Sequence, residues 1–522
     1  MQNDLELPGA ELPYSLLPHA LYRAEQVREL DRIAIQDFGI PGARLMERAG
    51  FVTFRAMRRR WPEARRVRVV CGAGNNGGDG YIIARYAACA GLDVKVFPIG
   101  EPTRLGGDAR GAFDAMLNAG LTPENIKVGG TVLADADIVV DALFGTGLDR
   151  EITGHWADAI AAINASPGVK VAVDIPSGLH ANTGQILGCA VRADLTVTFI
   201  GLKQGMLTGE GRDRCGHFLF DDLTVPGAVY ERFGPSAQRI DHDTTRQSLL
   251  APRARTAHKG DFGHVLVVGG DTGFAGAARM AGEAAARTGA GLVSIATRAA
   301  HATIIGASRP ELMCHGVESA AELEALLSRA TVIAAGPGLG RSSWGQTMIK
   351  TVLATDLPMI IDADGLNLLA THGPDDHQNR RHNWVLTPHP GEAGRLLGQT
   401  TSQIQADRFQ AARALVARFG GTAVLKGAGT LILDEQGEPC IASEGNPGMA
   451  TGGMGDVLTG VIAGLIAQGI TTGEATRLGV CLHGRAADLA AEEGGERGML
   501  AGDLMGWIRQ LMNPNHKNLF GY

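Results

Sequence analysis

The sequence predicts two α/β domains, each built on a largely parallel sheet. Short β-branched runs alternate with helical patterns almost from end to end, as parallel strands joined by crossover helices require. The length of 522 residues exceeds what one hydrophobic core usually organises, at roughly 100–200 residues per domain. The alternation thins once, from residue 226 to about residue 257, where Pro, Gly, Arg and Asp mix without a sustained period, as in a linker. The expected division lies near residue 235, giving domains of residues 1–235 and 236–522.

Each element has its own signal. Two helical stretches come first, residues 24–38 and 42–60; in the second, Leu45, Ala49, Val52 and Ala56 form one apolar stripe. Strand runs follow at 67–70, 94–97, 138–140, 171–173 and 195–200, with helical spacing at 81–91 and 156–165 between them. Beyond the linker a second series runs through 265–270, 292–296, 332–335, 359–361, 385–386, 423–425 and 431–433. The loop sequences of the two series differ, so no internal repeat is apparent.

Composition excludes several function classes. Side chains are 45% hydrophobic and 20% charged, and 55 acidic against 48 basic residues give a formal charge of −7. No basic excess exists to neutralise nucleic-acid phosphates. Glycine stands at 73 residues, about twice its roughly 7% average, without a collagen period. Such usage points to tight turns and close approach of backbone to ligand. The seven cysteines (71, 89, 189, 215, 314, 440 and 481) contain no CxxC pair, which argues against a disulfide framework or a thiolate zinc site. The segment MQNDLELPGAELPYSLLPHA lacks the basic-then-apolar order of a secretory signal, and no stretch approaches the ~18–20 uninterrupted apolar residues of a membrane span. The expectation is a soluble, cytoplasmic protein without nucleic-acid or membrane partners.

In open parallel sheets, ligands sit beyond the carboxyl ends of strands, where helix N-termini present free N–H groups. Three strand ends of the first domain carry unusual residues: Cys71 to Gly80 (CGAGNNGGDG), Asp141 to Gly147 (DALFGTG) and Asp174 to Gly178 (DIPSG). Glycines 72, 74, 77, 78 and 80 let amides reach an anion with no Cβ in the way. The plainer alternative is a turn-rich loop with Asp79 as a helix N-cap. Asp141, Ser177 and Asn76 supply hard oxygens without imidazole or thiolate, a set suited to an alkali or alkaline-earth ion, with low charge favouring a monovalent one. Capping or turn formation remains the alternative for Asp141 and Asp174.

These motifs, in this order over about residues 20–225, resemble the NAD(P)H-hydrate epimerase family. The resemblance implies a Rossmann-like domain interconverting the R and S forms of NAD(P)H hydrated at nicotinamide C6. It implies contacts to the hydrated cofactor from Asn75, Asn76, Gly77, Gly78 and Asp79, from Gly145, Thr146, Gly147, Leu148, Asp149, Arg150 and Glu151, and from Asp174. It further implies potassium held by Asn76, Asp141 and Ser177. Asp174 is the candidate acid/base, from its strand-end position within reach of the same pocket.

The second domain carries its chemistry in the run Asn446 to Gly460 (NPGMATGGMGDVLTG), after which Val461 and Leu465 continue a helical spacing. Glycines 452, 453 and 455 leave N–H groups free for a phosphoryl oxygen, and Asp456 falls in the first helical turn. A carboxylate beside an anion hole is where a general base should stand to take a hydroxyl proton during phosphoryl transfer. The helix end is expected to keep Asp456 ionised while lowering its basicity. The alternative is that Asp456 merely caps the helix. Other strand ends agree: Thr387 to Glu392 (TPHPGE), Gly336 to Gly340 (GPGLG), Asp362 to Asp364 (DAD), and Lys426 to Thr430 (KGAGT), whose lysine and glycines suit nucleotide phosphates. His389 alone reads as a buried loop anchor; its TPHPGE setting points to ligand contact.

Over about residues 245–510 these motifs resemble the ribokinase-like superfamily, most closely its ADP/ATP-dependent NAD(P)H-hydrate dehydratases. The resemblance implies nucleotide contacts from Lys426, Gly427, Ala428, Gly429, Thr430 and Gly455, and hydrate contacts from Ala277, Gly338, Gly340, His389 and Asp456. It implies that ADP phosphorylates the C6 hydroxyl and that phosphate then leaves, with Mg2+ shielding the nucleotide. Taken whole, the chain resembles the bifunctional NAD(P)H-hydrate repair family: epimerase feeding dehydratase, with hydrated NADH or NADPH and ADP as small-molecule partners, and a homo-oligomer expected. The rival is a vitamin or sugar kinase fused to a non-catalytic Rossmann-like binding domain.

Overall fold

The computed structural model describes residues 17–124, 133–246, 250–372 and 380–513. The chain divides into two compact units, Met1–Gln238 and Arg239–Tyr522.

The first unit carries a 6-stranded parallel sheet in the order Asp93–Pro98, Arg66–Cys71, Ile138–Ala142, Val169–Val173, Leu195–Phe199, His217–Asp221. The first of these strands in the chain, Arg66–Cys71, lies second, so the winding direction reverses between it and Ile138–Ala142. That reversal opens a crevice beyond their carboxyl ends, where two loops diverge. Period-2 geometry sends alternate side chains to opposite layers. Val67, Val69, Val140 and Val171 pack on one side with Leu30, Ala49, Ile83 and Phe113 from helices Ala24–Gln36, Gly42–Arg60, Asn75–Cys89 and Gly107–Asn118. Val70 and Val139 pack on the other with Ile160 and Ile163 of helix His155–Ala165. Each such side chain contributes roughly 1.5–3 kcal/mol on burial. Arg68 is fully buried among these strands, and its charge is matched by Asp93 and Asp135 at 2.9 and 2.8 Å. A short parallel pair, Ala20–Tyr22 with Leu202–Lys203, completes the unit.

In the second unit the order is Met313–Gly316, Leu292–Thr297, His264–Val268, Val332–Ala335, Met359–Ile361, Trp384–Leu386, Thr422–Leu425, parallel throughout, then Leu431–Leu433 and Cys440–Ala442 antiparallel. Here the reversal falls between His264–Val268 and Val332–Ala335. Helix Met454–Ala467 is the core of the unit and buries most of its circumference against helix Ala275–Thr288 and the sheet. A Cβ at Gly460 would lie 2.0 Å from the Ala281 carbonyl oxygen, and one at Gly464 2.7 Å from that of Ala285. Glycine at both positions lets the two backbones touch.

Three expectations need correction. The helix expected to begin at Tyr81 begins at Asn75, because its glycines pack inward and do not break it. The expected linker is largely structured. It holds helix Gly227–Tyr230, whose Val229 is fully buried, and Ala237, which pairs with Leu21. Arg239, also fully buried, bonds Asp241 at 2.9 Å and Ser443 at 3.2 Å. Strands His217–Asp221, Met313–Gly316 and Cys440–Ala442 lie outside the expected runs; each is short and is fixed by pairing with Leu195–Phe199, Leu292–Thr297 and Leu431–Leu433. Among the described residues no helix is long and apolar enough to cross a membrane, and all seven cysteines are free.

Candidate active sites

In the first unit, all three expected loops reach the crevice at the sheet reversal. The turn after Arg66–Cys71 passes so close to the next loop that a Cβ on Gly72 would sit 1.9 Å from the Leu143 carbonyl oxygen. Helix Asn75–Cys89 then starts with Gly74 as its N-cap and no side-chain cap bond, so Asp79 is not a cap. Asn76, Gly77 and Gly78 are buried, and Asn75 is exposed. The Asn76 side-chain amide lies beside Gly145, and its Nδ2 has no partner among the described residues.

Asp141 is fully buried at the end of its strand. Its Oδ1 accepts from Ser177 Oγ at 2.6 Å and from Leu143 N–H at 3.3 Å, and its Oδ2 accepts from Ser177 N–H at 2.8 Å. Ser177 Oγ in turn accepts from Phe144 N–H at 2.9 Å. Burial still pushes the Asp141 carboxyl up to about 6, against the pull of these hydrogen bonds. Among the described residues no cationic side chain bonds this buried carboxylate; its partners are one hydroxyl and two backbone N–H groups, and a bound monovalent cation would match its charge. Of the second loop, Gly145 meets Asn76, and the Thr146 carbonyl accepts from Arg28 at 3.4 Å. Leu148 is half-buried, whereas Gly147, Asp149, Arg150 and Glu151 are exposed.

Asp174 adopts φ 68°, a left-handed conformation uncommon for a residue with a side chain. It is ion-paired with Lys203, which is fully enclosed. Sequence reasoning missed Lys203 and also Asp31, which faces Asp174 from helix Ala24–Gln36. A lone lysine in the short, glycine-flanked run Gly201 to Met206 is the one local signal that could have marked the first. Asp31 looks like any polar position on an amphipathic helix.

The second unit brings its predicted residues together in two groups. Around the sheet reversal, the backbone of Gly338 lies against Phe274 and Ala277, and that of Gly340 against the Asp271 carboxylate. Gly340 N–H donates to Asp364 at 3.1 Å. The other group centres on Asp362, which is 1% exposed. One of its oxygens takes the Lys426 ammonium at 2.7 Å and the other takes the Thr459 hydroxyl at 3.0 Å. Glu392 stands 3.8 Å from the same ammonium. A Cβ on Gly455 would lie 3.2 Å from Asp362 Oδ2 and 3.4 Å from Lys426 Nζ, so this ion pair borders the amide cradle at the helix start. Burial works against the Asp362 anion, yet Lys426 holds the carboxyl below its usual range.

Asp456 is the third residue of helix Met454–Ala467, whose N-cap is Gly453. Burial, reinforced by the Asp362 charge, pushes its carboxyl up to about 7, and Lys426 pulls the other way. The expectation that the helix end would lower its basicity is therefore overturned: desolvation outweighs the dipole. Asp456 is poised to gain and lose a proton near neutrality.

The loop Lys426 to Thr430 is held from below by Arg408, a residue the sequence did not single out. Arg408 is 1% exposed and donates to the carbonyls of Leu425 at 3.0 Å, Lys426 at 3.3 Å and Gly429 at 3.5 Å. Thr430 Oγ1 donates to the Gly427 carbonyl at 3.0 Å. His389 is exposed, not buried. It caps helix Pro390–Leu397, with Nδ1 accepting from Gly391 N–H at 3.0 Å, which assigns the proton of the neutral ring to Nε2. Partial desolvation and the Lys426 charge hold the ring below its usual range.

Comparison with known proteins bears on both sites. A family model described as YjeF-related protein N-terminus matches residues 42–205, and one described as NAD(P)H-hydrate dehydratase matches residues 265–510. The bifunctional NAD(P)H-hydrate repair enzyme Nnr of Coxiella burnetii is 47% identical over 498 residues, covering 95% of this chain and 99% of that protein. Its counterpart in Escherichia coli is 43% identical over 505 residues, covering 95% of each. Among solved structures, an ADP/ATP-dependent NAD(P)H-hydrate dehydratase from Bacillus subtilis is 29% identical, with a TM-score of 0.46, over 52% of this chain and 96% of its own. Both matched segments contain the loops assembled above, and the relatives extend over nearly the whole sequence: the chain belongs to the bifunctional NAD(P)H-hydrate repair enzyme family.

Proposed function

We propose that residues 1–235 interconvert the R and S hydrates of NAD(P)H and that residues 236–522 dehydrate the S form at the expense of ADP, giving AMP and phosphate. The observation that carries the second step is Asp456, a base poised near neutrality beside an amide cradle that Lys426 borders. Asp456 takes the C6 hydroxyl proton as that oxygen attacks the terminal phosphorus of ADP. Lys426 and the Gly455 amide hold the phosphoryl oxygens as charge develops, and AMP leaves. Phosphate is a far better leaving group than hydroxide, so it departs from C6 and loss of a C5 proton restores the dihydropyridine. Ala277, Gly338, Gly340 and His389 contact the hydrate, His389 donating from Nε2. Lys426, Gly427, Ala428, Gly429 and Thr430 contact the nucleotide.

In the epimerase unit, Asn75, Asn76, Gly77, Gly78 and Asp79, the stretch from Gly145 to Glu151, and Asp174 contact the hydrate, and Asp174 moves its proton. Asn76, Asp141 and Ser177 would hold potassium, which supplies the positive charge that keeps Asp141 ionised. Among the described residues no three His, Cys, Asp or Glu side chains are grouped to hold a metal. Magnesium would therefore travel with the phosphates of the nucleotide, whose charge it neutralises. The setting is cytoplasmic and the state a homo-oligomer, which light scattering reads directly.

Incubating mixed R and S hydrates of NADH with ADP tests the reading. Absorbance at 340 nm should return in full with stoichiometric AMP and phosphate. Rapid recovery of only the S fraction would reduce the N-terminal unit to a binding module. A stable phosphoester on a vitamin or sugar substrate, with no recovery at all, would favour the rival kinase.

A further inference from the structure

The epimerase crevice contains charged groups that the reaction as described leaves idle. The three ammonium hydrogens of Lys203 have three acceptors: Asp174 Oδ1, Thr198 Oγ1 at 2.9 Å and the Phe199 carbonyl at 3.3 Å. A lysine so committed is a fixed counter-ion and not a proton carrier. Phe199 N–H also reaches Asp174 Oδ1, at 3.4 Å. Every bond to the Asp174 carboxylate thus falls on Oδ1, and Oδ2 has no partner among the described residues. Asp79 stands in the second turn of helix Asn75–Cys89, and its carboxyl makes no hydrogen bond to a described residue. Burial, then the charges of Asp174 and Asp31, push the Asp79 carboxyl well above its usual range, and Lys203 pulls it back only in part. Asp31, opposite, is pushed up to about 6 by burial and then by Asp174. The other titratable neighbours, Cys71 beside Asp79 and Tyr230 beside Asp31, are raised by burial and stay neutral.

We propose that epimerisation runs on a matched carboxyl pair, with Asp174 Oδ2 as the base and protonated Asp79 as the acid. Lys203 and Asp31 are positioning residues that keep the two apart in charge. This rests on the epimerase reading above. Asp174 takes the C6 hydroxyl proton, the freed electron pair forms the carbonyl, the C6–N1 bond breaks, and N1 takes the Asp79 proton. The opened aldehyde turns about its C5–C6 bond. N1 then attacks the opposite carbonyl face and returns its proton to Asp79, while the oxygen recovers its proton from Asp174. Protons and electrons balance over the cycle, and no co-reactant is needed.

The test is the pH dependence of epimerisation in the full chain, for wild type, Asp79→Asn and Asp31→Asn. Wild type should give a bell. Asp79→Asn should lower kcat about 10²–10⁴-fold with little change in KM, and the high-pH limb should vanish. Asp31→Asn should keep the bell but move its high-pH limb downward, since a like charge beside Asp79 is gone. Dehydration of the pure S hydrate by each variant reports an intact chain. Asp79→Asn within tenfold of wild type, or an unmoved limb in Asp31→Asn, overturns the pair. A wild-type chain that dehydrates but never epimerises overturns the epimerase reading itself.

Discussion

Replacing Asp456 with Asn keeps the shape of the side chain and removes its capacity to take a proton. Positioned general bases contribute about 10²–10⁴ in rate, which at 1.36 kcal/mol per tenfold is roughly 2.7–5.5 kcal/mol of transition-state stabilisation. Asp456→Asn should therefore lower kcat/KM for dehydration by about that factor, read by recovery of 340 nm absorbance with S hydrate and ADP. The pH profile carries a second, independent signature. With the Asp456 carboxyl at about 7, wild-type kcat/KM should be half-maximal near that pH and fall about tenfold per unit below it. Asp362 is the charge that raises it, so Asp362→Asn should slide this acidic limb to lower pH. Epimerisation should be untouched by Asp456→Asn, because Asp456 lies in the second unit and Asp174 and Asp141 in the first. A profile flat from about pH 5 to about pH 9, or an Asn variant keeping a tenth of wild-type activity, would refute the assignment of Asp456 as base.

Other perturbations probe the supporting groups. Asp141→Asn removes the one charge of the Asn76–Asp141–Ser177 set. Exchanging potassium for choline should lower the Tm of the N-terminal transition in wild type and leave the variant unchanged; equal responses would place the cation elsewhere. Arg408→Met strips three carbonyls of their donor and should destabilise the second unit by roughly 3 kcal/mol while raising the KM for ADP more than it lowers kcat. A variant with unchanged urea midpoint and ADP KM would show the loop needs no such strut. Glu444 accepts from His242 N–H through both oxygens, at 3.0 and 2.9 Å, yet burial pushes its carboxyl from 4.5 to about 8. The folded state holds that proton more tightly, so the stability it contributes is full below 4.5 and lost as pH rises through about 8. Glu444→Gln should therefore raise Tm over wild type above that range, with the gap closing toward acidic pH.

Much of this was legible in the chain, and the boundary is physical. Alternation of apolar runs with helical spacing reports burial locally, so most of the parallel strands of both sheets could be placed, the edge strands His217–Asp221 and Met313–Gly316 excepted. Strand order is set by pairing between distant segments, and nothing near Arg66–Cys71 says that Ile138–Ala142 will lie beside it. Asp456, Lys426 and Asp141 stood out because their loops concentrate glycine and polar residues within a few positions. Lys203, Asp31 and Arg408 reach their sites through topology and leave only faint local marks. The proton affinity of Asp456 was misjudged for the same reason: the helix end is visible in sequence, but the depth of burial and the approach of Asp362 are not. His389 taken alone reads as an interior anchor, and the structure exposes it instead as the cap of a helix start, an accessibility that only its TPHPGE setting hinted at.

The bare contact at Gly460 and Gly464 makes the active centre a hostage of residue volume elsewhere. The helix that presents Asp456 has no side-chain cushion against its neighbour, so one added methyl at either glycine levers the catalytic end of the rod away from its loops. Random variation at positions 281, 285, 460 and 464 should return only the smallest residues under selection for turnover, although none of the four meets a substrate. Mutational intolerance there would be mistaken for chemistry when its origin is clearance.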